Sequence, residues 1–166
     1  MHLFLMDTAH RISGYIDILL ERASRWRDSG EEILKAMQVQ DFTALVSKVE
    51  QRQRFIDSYQ DCLQRCSQEL EHRTLDFENT KILPFLLELT QSDEDFESMQ
   101  EPLLNLKALL EETRDQERII LRQVSELPGD IRKKLLNVQT QKTGIAAYQK
   151  NQSAPLAQFS RFERKK

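Results

Sequence analysis

The stretch MQVQDFTALVSKVEQRQRFID, residues 37–57, contains the signals of a tight turn followed by a new helix. Asp41 stands where its carboxylate can accept a hydrogen bond from the free N–H groups of a new helix. From Leu45 to Leu70, apolar residues recur at spacings of three and four, which is typical of a helix with one buried face. A turn this short makes the flanking helices neighbours. The stretch therefore predicts an antiparallel helical hairpin.

The chain before this turn is predicted to form one long helix. Asp7 or Thr8 could cap its first turn. Ser29 and Gly30 weaken the helix, so a kink or a break there is an alternative to a continuous helix. The apolar residues at helical spacing are Ile12, Ile16, Leu19, Leu20, Ala23, Trp26, Ile33, Leu34 and Met37.

Three helices are predicted after the hairpin. A short helix around residues 83–89 has Pro84 in its first turn, where proline is tolerated. Ser92 is expected to cap the next element. A long helix from about Leu103 to Glu126 follows, with Ile119 in its apolar set.

The middle of that long helix, EETRDQER at residues 111–118, is expected to face solvent because it is polar on every side. The stretch LPGD at residues 127–130 then ends the helix. Asp130 is predicted to cap a last helix over residues 131–148.

Composition supports an all-α fold, since the chain has only 4 glycines and 4 prolines and is rich in helix-forming residues. We expect an elongated antiparallel helical bundle built from coiled-coil hairpins. One domain is predicted over residues 1–148. Residues 149–166 are predicted to be a flexible basic tail, because they hold five cationic side chains and one anionic one.

Several classes of function have little support in the sequence. The formal net charge of -3 does not favour a nucleic-acid partner. No apolar run approaches the roughly 20 residues of a membrane span, and no secretory signal is recognised, so a cytoplasmic protein is expected. Cys62 and Cys66 lack further ligands at zinc spacing and are predicted to be buried structural thiols. No glycine-rich phosphate loop or catalytic set is found, so we expect no cofactor, no metal and no enzymatic activity.

The carboxyl end raises a different question, because apolar and aromatic residues continue where little chain is left to cover them. Ile145 and Tyr148 are followed by Phe159 and Phe162 in a segment without helical periodicity. Burying each such side chain on a partner would contribute about 1.5–3 kcal/mol, so a few anchors suffice for micromolar binding. The alternative is that the last helix packs on its own hairpin and the remainder frays.

A long first helix is followed by MQVQDFTALVSKVEQRQRFID, a central connector, a second long hairpin and the closing stretches AAYQK and SRFERKK. With this layout, nearly the whole chain resembles the FlgN family of flagellar export chaperones. Asp41 matches an aspartate at the first turn, and Tyr148 matches a tyrosine shortly after the last helix. The segment from Phe162 to Lys166 matches a short aromatic and basic finish. FliT-type chaperones share much of this layout and remain an alternative. In the family, a run of the pattern L..L...RQ..ID follows the first turn. The residues that match it loosely in this chain are Leu45, Val49, Arg52, Gln53, Ile56 and Asp57.

The resemblance implies a bacterial cytoplasmic chaperone that binds the terminal helical segment of hook–filament junction proteins. Such a chaperone keeps these hook-associated proteins soluble and competent for type III export. By analogy with the family, the partner contacts would include Leu135, Val138, Ile145 and Tyr148, to which the tail adds Phe159 and Phe162. The export apparatus is a further expected partner, and homo-oligomerisation is left open. The alternative from another class is a self-associating coiled-coil scaffold without a secretion client.

Overall fold

The structure is a computed structural model that describes residues 2–71 and 82–146, with side chains described for residues 6–71 and 82–138. Within these ranges the chain forms helices and no strand, which confirms the predicted all-α helical bundle. A 3-10 helix, Glu94–Met99, precedes the fourth α-helix. The α-helices are α1 (His2–Gln38), α2 (Phe42–Glu71), α3 (Ile82–Ser92), α4 (Gln100–Ser125) and α5 (Gly129–Ala146).

The turn between α1 and α2 is formed as the sequence predicts. The Asp41 carboxylate accepts a hydrogen bond from the Ala44 N–H at 3.1 Å, and its carbonyl accepts one from the Leu45 N–H at 2.9 Å. Gln40 has a φ of 56°, the left-handed conformation that lets the chain reverse after α1. Asp41 therefore caps α2.

The residues divide into two compact units. Unit 1 comprises Met1–Arg25 and Phe55–Glu111, and unit 2 comprises Trp26–Arg54 and Glu112–Lys166. Helices α1, α2 and α4 each contribute residues to both units. The single domain over residues 1–148 and its elongated shape stay predictions. The predicted basic tail, residues 149–166, lies outside the described residues.

In unit 1, α1 and α2 run antiparallel around an apolar core. Arg11 contacts Glu69 at 3.2 Å, and Arg22 donates a hydrogen bond to the Ser58 carbonyl at 2.6 Å. Residues early in α1 therefore lie beside residues late in α2, and residues later in α1 lie beside earlier residues of α2. The buried core residues are Ala9, Ile12, Ile16, Cys66, Leu70, Ile82, Leu86, Phe96, Met99 and Leu103.

In unit 2, α1 and α2 are again antiparallel, because Lys48 pairs with Glu32 at 3.1 Å and Arg52 donates to the Trp26 carbonyl at 2.9 Å. Their apolar side chains pack with those of α4 and α5. The predicted antiparallel hairpin is thus confirmed within each unit. The buried core of unit 2 consists of Ile33, Ala36, Met37, Leu45, Ile120, Val124 and Leu135.

The predicted start of α1 was wrong. The helix begins at His2, and Asp7 pairs with Arg11 one turn later at 3.1 Å instead of capping. Thr8 is buried inside the helix. The helix also continues through Ser29 and Gly30, so the alternative of a break does not occur.

The predicted caps of two later elements were also wrong. Ser92 is the last residue of α3, and its hydroxyl donates to the Glu88 carbonyl at 3.2 Å. Asp93 caps the 3-10 helix instead, because its carboxylate accepts from the Asp95 N–H at 3.0 Å. Asp130 lies inside the first turn of α5, where its negative charge interacts favourably with the positive end of the helix dipole.

Candidate functional site

The residues expected to bind a partner are placed differently by the structure. Leu135 is 1% exposed and belongs to the core of unit 2, so it is not an exposed contact. Val138 is half-buried. Ile145 lies within α5, but its side chain is outside the described set. Tyr148, Phe159 and Phe162 also lie outside the described residues, so their role stays a prediction.

Helix α5 contributes apolar side chains to the core of unit 2. Leu135 is the only buried side chain between residues 129 and 138, whereas Ile131 and Leu136 are partly buried against the same core. The helix then continues to Ala146, eight residues beyond Val138.

A group of polar residues is buried in unit 2, next to its apolar core. We call Ser29, Gly30, Arg52, Gln116 and Glu117 the polar layer. Arg52 on α2 forms a salt bridge with Glu117 on α4, and each side chain is 5% exposed. Because a buried charge is costly unless it is paired, this ion pair is the feature that allows Arg52 to lie inside the protein.

The polar layer also bonds to the backbone of α1. Arg52 Nη1 donates to the Trp26 carbonyl at 2.9 Å and to Gln116 Oε1 at 3.3 Å. Gln116 Nε2 in turn donates to the Arg27 carbonyl at 2.9 Å. The guanidinium carbon of Arg52 lies 5.9 Å from the centre of the Trp26 ring, within cation–π distance. One hydrogen-bonded group thus joins α1, α2 and α4.

Gly30 makes room for this group. A Cβ atom at position 30 would collide with the Gln116 side-chain amide and would lie 2.7 Å from Arg52 Nη1. The glycine, buried on α1, therefore permits the amide of α4 to approach the helix backbone. The neighbouring Ser29 hydroxyl donates to the Trp26 carbonyl at 2.6 Å, which satisfies its own buried polar group.

Residues 111–118 were expected to face solvent, and this expectation was wrong for Thr113, Gln116 and Glu117, which are buried. A signal was present in the sequence. These three residues continue, at spacings of three and four, the apolar positions that resume at Ile120. In contrast Ile119, which was assigned to the apolar set of α4, is 44% exposed.

The two cysteines are buried free thiols in unit 1, as predicted. The Cys62 thiol donates to the Tyr15 carbonyl across 3.8 Å, a weak hydrogen bond. Burial raises the pKa of Cys66 to about 12 and also raises the pKa of Cys62. Both thiols are therefore protonated at neutral pH and poorly reactive.

Among the side chains that the structure describes, no group of three or more histidine, cysteine, aspartate or glutamate residues could hold a metal ion. No helix within the described ranges is both long and apolar enough to cross a membrane. Comparisons with family models, with curated proteins and with solved structures gave no match.

Proposed function

We propose that this protein is an export chaperone of the flagellar type III system, which holds the terminal helical segment of a hook–filament junction protein in the cytoplasm. The observation that carries the proposal is the burial pattern of α5. Between residues 129 and 138 the helix has one buried side chain, Leu135, and its backbone continues to Ala146. We propose that the part of α5 beyond Val138 contacts the partner.

The residues that support the resemblance have structural roles consistent with the proposal. Asp41 caps α2, and Arg52, Gln53 and Ile56 are all buried. The run that resembles the chaperone family thus shapes the hairpin itself. This arrangement agrees with a rigid helical support for a binding segment at the carboxyl end.

Binding would proceed by helix-in-groove contact. The client is the secreted protein that the chaperone holds, and its terminal segment exposes an apolar stripe until assembly. Val138, Ile145 and Tyr148, with Phe159 and Phe162 of the tail, would cover that stripe. Leu135 is assigned a different role, because its side chain anchors α5 on unit 2. No nucleotide is required for this holding step.

The proposal is tested by removing residues 147–166, which leaves Leu135 and all of α5 in place. The full-length and shortened proteins are each mixed with purified hook–filament junction protein, and binding is measured by titration calorimetry. We expect binding by the full-length protein and a loss of at least about tenfold, equal to 1.4 kcal/mol, in the shortened form. Equal binding by both forms, or none by either, would contradict the proposal.

A matched pair of substitutions distinguishes specific contacts with the client from nonspecific binding through exposed apolar side chains. Tyr148→Ala should weaken binding, whereas Ile119→Ala removes an exposed apolar side chain outside the proposed surface and should leave binding unchanged. Self-association of the full-length protein without client, lost on the same truncation, would support the scaffold alternative instead.

A further inference from the structure

The polar layer of unit 2 is an unusual way to fill a helical core. A buried ion pair costs desolvation, and apolar side chains of similar volume often give equal or greater stability. The layer nevertheless satisfies its members, since Arg52 bonds to Glu117, to Gln116 and to the Trp26 carbonyl. Stability alone therefore does not explain why these helices pack around an ion pair and a side-chain amide.

The apolar residues around the layer repeat at a spacing of one helical turn. Ile33 and Met37 are four residues apart on α1, and Ile120 and Val124 are four apart on α4. If α4 slid along α1 by one turn, about 5.4 Å, similar apolar side chains would meet again. Apolar packing alone therefore discriminates weakly between the two alignments.

The polar layer discriminates strongly, because its contacts exist in one alignment only. A one-turn slip in either direction would separate Arg52 from Glu117. A slip that brings Ile120 and Leu121 to the positions of Gln116 and Glu117 would leave the buried charge of Arg52 without a carboxylate partner. The same slip would move Gln116 away from Gly30, and four residues from Gly30 on either side stand Trp26 and Leu34, which offer no comparable space.

We infer that the polar layer fixes the alignment of α4 with the α1–α2 hairpin in unit 2. The layer disfavours slipped arrangements, because each of them breaks the Arg52–Glu117 pair and moves the Gln116 amide away from the space beside Gly30. This role does not depend on the proposed chaperone function, because it concerns only how the helices of this chain select one packing.

The test uses cysteine pairs that report the alignment. Arg27 Nη1 on α1 and Glu112 Oε2 on α4 lie 3.7 Å apart, so these positions are neighbours in the observed alignment. Arg27→Cys with Glu112→Cys therefore reports that alignment. Arg27→Cys with Asp115→Cys reports a shift of about one turn. Each pair is treated with a short bis-maleimide. A protein without introduced cysteines shows any background from the native thiols.

Each pair is placed in the native protein and in an apolar variant, Arg52→Met with Gln116→Leu and Glu117→Leu. In the native protein we expect the first pair to cross-link faster than the second, because position 115 lies about 4.5 Å further along α4 than position 112. In the apolar variant we expect both pairs to cross-link to similar extents, with a urea midpoint equal to or above that of the native protein.

Two results would overturn the inference. The same preference for the first pair in the apolar variant as in the native protein would show that apolar packing fixes the alignment without the layer. Loss of the helical circular dichroism signal in that variant would show that the layer is needed for folding rather than for alignment. The single variant Glu117→Gln should lower the urea midpoint, because Arg52 loses its charged partner; an unchanged midpoint would show that this pair is not buried and coupled.

Discussion

Two glycines on α1 should respond in opposite directions to the same substitution. A Cβ atom added at Gly14 would have nothing within 4 Å, whereas a Cβ at Gly30 would collide with the Gln116 amide. Replacing glycine by alanine inside a helix stabilises it by about 0.5–1 kcal/mol where space allows. Gly14→Ala should therefore raise the free energy of unfolding by about that amount.

Gly30→Ala gains the same helix propensity but disrupts the polar layer. The added methyl group displaces the Gln116 amide from the Arg27 carbonyl at 2.9 Å and from Arg52 at 3.3 Å. The buried Gln116 amide would then lose the partners of its Nε2 and Oε1 atoms, which costs about 1–3 kcal/mol for each atom left unsatisfied. After the gain in propensity is subtracted, the net loss is about 1–5 kcal/mol.

Urea unfolding followed by far-ultraviolet circular dichroism measures both changes on one scale. The double variant Gly30→Ala with Gln116→Ala provides the control, since removing the amide removes the two closest contacts and leaves only the one with Arg52 Nη1 at 2.7 Å. The destabilising effect of Gly30→Ala should shrink in that background. If Gly30→Ala instead stabilises the protein as much as Gly14→Ala, Gln116 does not occupy the space beside Gly30, and the reasoning is refuted.

Three further predictions concern stability. Glu117→Leu should lower the free energy of unfolding by about 3–5 kcal/mol in urea titrations, because Arg52 would remain buried without its charge partner; a change below about 1 kcal/mol would indicate an exposed pair. Asp41→Ala should cost about 1 kcal/mol by removing the cap of α2, with Asp41→Asn retaining most of it. Stability should fall as pH rises through about 9, because the Cys66 thiol ionises at its ordinary pKa when unfolded but near 12 when folded. This thiol alone should cost about 1.4 kcal/mol by about pH 10, and Cys66→Ala should flatten that part of the profile.

The helices of this chain are predictable because they depend on local signals. Asp41 marks a cap, Pro128 and Gly129 mark an interruption, and the spacing of apolar residues defines the buried faces. The error at the start of α1 has the same origin, since a capping residue such as Asp7 also forms pairs within a helix. Local sequence does not distinguish these two uses.

The polar layer could not be predicted in the same way. Arg52 and Glu117 are 65 positions apart, and charged residues are mostly exposed, so each resembles a surface residue when considered alone. Only the fold brings them together. Two partial signals of the layer are present in the sequence. One is Gly30, where a kink or break of α1 was an alternative, because a small residue on a buried face indicates a close approach. The other is the helical spacing of Gln116 and Glu117 with Ile120.

The assignment of Leu135 shows a related limit. An apolar residue on the last helix is equally compatible with the protein's own core and with a partner, and the distinction depends on what lies opposite. The structure places Leu135 against the unit 2 core, beside residues such as Ile33 and Val124. The remaining candidates, from Val138 onward, keep the partner-binding role as a prediction.

Amide hydrogen exchange with and without a purified hook–filament junction protein tests the central proposal most directly. The proposal predicts that the client slows exchange from Val138 to the carboxyl end and leaves exchange in α1 and α2 unchanged. Slowed exchange confined to α1 and α2, with none in the carboxyl-terminal segment, would contradict it.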